Sequence, residues 1–181
     1  MTLLPGPANG PAMERLMVVG CSGAGKSTLA RRLGDRLGLP VFHLDSLFWK
    51  PGWVESDREE FRARVAEAAA GEKWIFDGGY ITHAVPVFRR AELIIWLDLP
   101  RRVCLARAVA RSIVGFGRVR EDLAPGCPEK IDLGFYRYIW NWDRSNRPRL
   151  EAALAQHASG AHLVRLADDK AVERFVGRLA S

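Results

Sequence analysis

The stretch Arg15-Leu16-Met17-Val18-Val19-Gly20-Cys21-Ser22-Gly23-Ala24-Gly25-Lys26-Ser27-Thr28 decides the fold. Its first part is a short apolar run, as a strand buried on both faces requires. Gly20 to Ser27 then satisfies the pattern G-x-x-x-x-G-K-[ST] at every fixed position. Leu29, Ala30, Leu33 and Leu37 follow at helical spacing, Gly38 ends the helix and Pro40 forbids its continuation. A glycine-rich loop between a strand and a helix N-terminus curls so that several backbone N–H groups point inward, and the helix dipole adds positive potential. The segment is therefore a phosphate cradle. Gly20, Ser22, Gly23, Ala24, Gly25, Lys26, Ser27 and Thr28 are its candidate binding residues, with Lys26 reaching the β/γ-phosphate oxygens and Ser27 ligating Mg²⁺.

Working outward, short apolar runs recur at Val41–Leu44, Trp74–Phe76, Leu93–Leu97 and His162–Leu166. Helical patterns lie between them, over Lys26–Leu37, Asp57–Ala70 and Arg101–Val114, from about Phe135 onward, and over Ala171–Leu179. Pro148 must kink the fourth of these helices or begin a new one. Strands alternating with helices predict an α/β chain with a parallel five-stranded sheet and helices on both faces. The segment Gly115–Gly134, with its glycines and prolines, predicts a small mobile lid between the fourth and fifth strands. Residues 1–12 read as a flexible leader ahead of one domain over 13–181.

The composition is that of a globular protein, 48% hydrophobic and 27% charged, with no apolar run near the roughly 20 residues of a membrane helix. A cytoplasmic protein without a membrane partner, monomeric or weakly dimeric, is the expectation. Three widely spaced cysteines, Cys21, Cys104 and Cys127, fit free thiols better than a disulfide framework or a zinc site. Between Arg101 and Arg149 there are eleven Lys/Arg against five Asp/Glu, an excess equal to the +6 of the whole chain. A basic excess confined to one segment points to an anionic partner, either nucleotide phosphates or nucleic acid.

Three further segments accompany the cradle: His43-Leu44-Asp45-Ser46-Leu47-Phe48-Trp49-Lys50-Pro51-Gly52-Trp53, Trp74-Ile75-Phe76-Asp77-Gly78-Gly79-Tyr80 and Trp96-Leu97-Asp98-Leu99-Pro100-Arg101. With them the chain resembles the P-loop kinases of the adenylate kinase type, and more narrowly the bacterial DNA topology modulation (FlaR-like) proteins. The resemblance implies a three-layer P-loop NTPase fold, ATP and Mg²⁺ as cofactors, and a nucleoside monophosphate kinase-like transfer of the γ-phosphoryl group to a small-molecule acceptor. It also implies that Asp45 and Asp77 face the acceptor cleft. Arginines around the lid would clamp the phosphate: Arg107 and Arg111 before it, Arg118 and Arg120 within it, Arg144 and Arg147 after it. The chain lacks the glycine–aspartate acceptor motif of adenylate kinases and the four cysteines of a zinc lid.

On the residues themselves, Asp45 and Asp77 end strands at the carboxyl edge where open α/β sheets bind ligands. Either could position a hydroxyl, accept its proton, or reach Mg²⁺ through water; the alternative is a turn cap. Asp98 is the rival Mg²⁺ carboxylate, or a cap for the helix at Arg101. Trp49 and Trp53 are either loop packing or an aromatic wall for the acceptor. An ATP-binding regulator or ATPase acting with DNA is the competing function, resting on the basic segment and on the name of the narrower family that the chain resembles. A GTPase would need N-K-x-D, which is absent.

Overall fold

The computed structural model describes residues 13–179, so the expected leader over 1–12 lies outside the described residues. In chain order the elements are β1 (Arg15–Gly20), α1 (Lys26–Leu37), β2 (Val41–His43), α2 (Leu44–Phe48), β3 (Trp49–Lys50), β4 (Val54–Glu55), α3 (Arg58–Ala70) and β5 (Trp74–Asp77). They continue with α4 (Val85–Arg90), β6 (Leu93–Leu97), α5 (Arg101–Val114), α6 (Leu133–Trp140), α7 (Trp142–Ser145), α8 (Arg147–His157), β7 (His162–Leu166) and α9 (Asp169–Arg178). β2, β5, β1, β6 and β7 form one parallel sheet in that order. The chain fills one side of β1 before crossing to the other, so the strand order reverses at β1. Its carboxyl end is the crevice where such sheets bind ligands, and the cradle stands there.

The inner strands of the sheet are apolar, whereas the edge strand β7 exposes His162, Leu163 and Arg165. Val18, Trp74, Ile75, Phe76, Ile94 and Ile95 are wholly buried, as strands covered by helices on both faces must be. One core joins them to α1 through Leu29, Ala30 and Leu33, to α3 through Phe61 and Val65, and to α8 through Leu150. Asp57 caps α3 by accepting from the N–H groups of Glu59 and Glu60 at 2.8 and 3.1 Å. Gly20 has φ +142°, and a Cβ there would stand 2.4 Å from the Leu97 carbonyl oxygen, so β1 and β6 approach this closely only because the residue is glycine.

Several local expectations need correction. The strand beginning at Val41 stops at His43, and Leu44 opens the short helix α2. The single helix from Phe135 is three: Asn141 and Asn146 break it, and Pro148 sits in the first turn of α8, where its missing N–H costs nothing. The hairpin of β3 and β4 and the helix α4 are additional elements.

The lid segment is a docked loop. The Gly52 N–H donates to the Gly126 carbonyl at 2.8 Å, the Trp53 indole N–H to the Pro128 carbonyl at 2.9 Å, and the Cys127 thiol to the Lys50 carbonyl at 3.2 Å. Leu123, Ala124 and Cys127 form a small second core against Trp49 and Trp53. At Trp53 φ is +62°, the one positive value at a non-glycine residue among those described. This left-handed backbone is unfavourable for a bulky side chain, and here the lid contacts hold it.

Candidate active site

A cavity of about 920 Å³ runs from the phosphate cradle to the tryptophans of the β3–β4 hairpin. At one end it is lined by Ser22, Gly23, Gly25, Lys26, Ser27, Thr28 and Arg31. Gly23 and Gly25 hold φ of +87° and +95°, which curls the loop, and no side chain caps the start of α1. Its first N–H groups thus remain for an anion. Gly20, Cys21 and Ala24 supply the loop's backbone, and all three are buried. The Lys26 ammonium donates to the Cys21 carbonyl at 3.1 Å, which curls it over its own loop.

Asp45 stands at the first turn of α2 and faces the same cavity. Burial pushes its carboxyl up from the ordinary carboxylate range, while Lys26 and the Tyr80 hydroxyl pull against that shift. Tyr80 is itself raised, by burial and by the Asp45 charge. The two form a polar pair at the root of an aromatic wall made by Phe48, Trp49, Trp53, Phe135 and Tyr138.

Asp77 does not join the acceptor wall with Asp45. It lies below the cradle at 3% exposure, where one oxygen accepts from the Ser27 hydroxyl at 2.7 Å and the other meets His43 Nδ1. A lid carboxylate reaches the same corner. Asp122 is 4% exposed and pairs with Arg120 at 2.7 Å; burial raises its pKa, but the Arg120 charge, the Ser27 hydroxyl and His43 bring it down overall. The donor set suits Mg²⁺. Ser27 offers a hydroxyl with carboxylates close by, and no group of three or more His, Cys, Asp or Glu gathers as a metal cage among the described residues. Magnesium is typically held by one or two side chains, waters and substrate phosphates, and not by an all-protein cage.

His43 has its own titration. Burial lowers its pKa, but the hydrogen bond and charge of Asp77 outweigh that, so the folded value lies above the ordinary 6.5. A histidine raised on folding stabilises fully below its unfolded pKa and loses that contribution as pH rises through the folded value. Thermal midpoints should therefore fall as pH climbs from 6 past neutrality, and His43→Asn should flatten that part of the profile. An unchanged slope in the variant would place the titration elsewhere.

Of the arginines expected to clamp phosphate, only Arg111 and Arg120 line the cavity. Both converge on Glu129, whose Oε1 lies 3.1 Å from Arg111 Nε and 2.5 Å from Arg120 Nε. Burial and the neighbouring Arg120 lower the Arg111 pKa, and Glu129 offsets part of this. Arg107 instead points away to Asp169 at 2.5 Å. Arg147 pairs with Asp98 and Asp143 and lies over Trp96. Arg118 and Arg144 are exposed and off the cavity wall. Asp98 neither caps a helix nor faces the metal corner, being enclosed by Arg147 and Arg165.

Arg31, Tyr80, Glu129 and Tyr138 escaped the sequence reading. Arg31 was accessible to it, since it lies four residues after Ser27 on α1 and so shares its face. Tyr80 directly follows the strand-end turn Asp77-Gly78-Gly79.

The sheet order and the cradle at its switch point define a P-loop protein of the α/β class. The chain belongs to the AAA domain family (AAA_18), whose model matches residues 16–113. It is 23% identical over 171 residues to the uncharacterized protein YqaC of Bacillus subtilis (strain 168), covering 92% of this chain and 95% of that one. It is 31% identical over 119 residues to a shikimate kinase of Symbiobacterium thermophilum, covering 54% of this chain and 65% of that one. Among solved structures it is similar to shikimate kinase from Acinetobacter baumannii in complex with shikimate, with a TM-score of 0.59 at 16% identity over 93% of this chain and 91% of that one. These matches establish the broad family and fold. The narrower topology-modulation resemblance rests only on the segments quoted for it, and the kinases named are shikimate kinases, not adenylate kinases. No helix among the described residues is long and apolar enough to cross a membrane.

Proposed function

We propose that this chain is an ATP-dependent phosphotransferase that moves the γ-phosphoryl group of ATP onto a hydroxyl of a small molecule. The continuity of the cavity carries this reading: the cradle side chains Lys26, Ser27 and Thr28 share one space with Asp45 and its aromatic wall, so donor and acceptor can meet. Such a pocket is at the upper end of the range for single small ligands, which suits two. The activity of the Symbiobacterium thermophilum relative, shikimate kinase, supports the same class of reaction.

In this reading the cradle N–H groups and Lys26 hold the β- and γ-phosphates. Asp45 accepts the acceptor's hydroxyl proton as the new O–P bond forms, the bond from the γ-phosphorus to the β,γ-bridging oxygen breaks, and ADP departs. Magnesium, held by Ser27 with Asp77 and Asp122 behind it, would supply charge compensation on the phosphate oxygens. Arg111 and Arg120 exchange Glu129 for the transferring group when ligands fill the cavity. The nucleoside monophosphate kinase-like version of the reading would further require cations for an acceptor phosphate.

A DNA-associated ATPase is the weaker reading because the basic segment is largely spoken for. Six of its eleven cations are ion-paired, with Asp169 and Asp98 supplying acids from outside it. The test is a screen of hydroxyl compounds with γ-labelled ATP, with and without excess chelator, beside a DNA titration at two salt concentrations. Label transfer that chelator abolishes is expected. Strong salt-dependent DNA binding with no transfer to any acceptor would favour the rival, and transfer at full rate in chelator would remove Mg²⁺.

A further inference from the structure

Resting on that phosphotransferase reading, we infer that the acceptor is a ring-bearing alcohol with no carboxylate or phosphate, and that an amine on it is favoured. The cavity is lined by five basic and six acidic side chains, so it is slightly negative before ATP adds its own charge. Position sharpens the point. Lys26 and Arg31 stand at the cradle, and Arg111 and Arg120 are matched by Glu129 and Asp122. The acceptor end carries Asp45, Glu55 and the pair Lys130–Asp132, so acids outnumber cations there by three to one. Glu55 lies opposite Trp49 in the β3–β4 pair, which places both on one face, and it has no ion-pair partner among the described residues.

The aromatic wall already takes a cation from the chain itself, since Lys130 Nζ stands 5.1 Å from the centre of the Trp53 ring. Trp53 and Trp49 meet edge to face at 5.3 Å, and the Pro128 carbonyl pins the Trp53 indole. A rigid pair of indole faces beside two carboxylates attracts an ammonium and stacks on a ring. A hydroxy acid such as shikimate would bring its charge against Asp45 and Glu55, where the one nearby cation, Lys130, already has Asp132 at 3.7 Å.

The probes are three para-substituted benzyl alcohols that differ only in carrying an aminomethyl, a hydroxymethyl or a carboxylate group. Their binding to the full chain with ADP and Mg²⁺ present is read by tryptophan fluorescence, and phosphorylation by labelled ATP is read in parallel. The aminomethyl and hydroxymethyl compounds should bind at least about tenfold tighter than the carboxylate, because the carboxylate meets like charge at the recognition site. Glu55→Gln should erase the advantage of aminomethyl over hydroxymethyl, expected at roughly fivefold or less for an exposed charge pair. Equal binding of the three, preference for the carboxylate, or binding of none overturns the acceptor class. The expected order of binding with no label transfer to any bound alcohol instead overturns the phosphotransferase reading and leaves the recognition of the ring standing.

Discussion

Asp45→Asn should lower kcat for phosphoryl transfer by about 10²- to 10⁴-fold, the range for loss of a positioned general base, while leaving ATP affinity and the fold in place. The variant keeps the side chain's size and can still accept a hydrogen bond, but it cannot take a proton from the acceptor. Burial raises the Asp45 carboxyl, which makes its conjugate base a better proton acceptor, and Lys26 with Tyr80 keeps the charged form accessible. Replacing a desolvated carboxylate by an amide removes a burial cost, so the thermal midpoint should hold or rise. Steady-state kinetics with ATP and the acceptor in saturation separate these effects. A fall of less than about threefold in kcat would take general-base work away from Asp45.

How far the sequence could reach differs between the two ends of the cavity. At the cradle every functional group belongs to one continuous segment with a fixed spacing, and backbone geometry alone dictates its shape, with glycine at φ of +87° and +95° where the curl demands it. The alternation of apolar strands with helices was equally legible, because the inner strands of a parallel sheet covered on both faces carry no polar face to confuse the pattern. At the far end the determinants are pairings across long sequence distances. Arg107 and Arg111 share a helix face by spacing, yet Asp169 draws one outward and Glu129 draws the other inward. Neither acid advertises its partner in the sequence.

The same reason separates Asp45 from Asp77. In the sequence both read as strand ends. But α2 begins within one residue of β2 and lifts Asp45 into the cavity, whereas Asp77 is the last residue of a central strand and is closed over by Ser27 and His43. The lid was legible as a segment but its contacts were not: Gly126 (φ +78°) is where the loop meets the hairpin, and a Cβ there would stand 3.0 Å from Pro51 Cβ. Glycine here serves close docking as much as freedom.

Lys26→Ala tests the central claim most directly. Lys26 is the one positively charged side chain of the Gly20–Thr28 loop, and its only hydrogen bond among those described is to the Cys21 carbonyl of the same loop. Nothing in the core depends on it, so its removal should cost the fold little. Against a triphosphate it makes charge-assisted contacts worth roughly 1.5–3 kcal/mol, about a 10- to 150-fold change in affinity. The measurement is an equilibrium titration of ATP with Mg²⁺ on both proteins, paired with thermal midpoints in the absence of nucleotide. The account expects ATP affinity to fall at least about tenfold while the midpoint stays close to that of the parent. Unchanged ATP affinity in Lys26→Ala would contradict it.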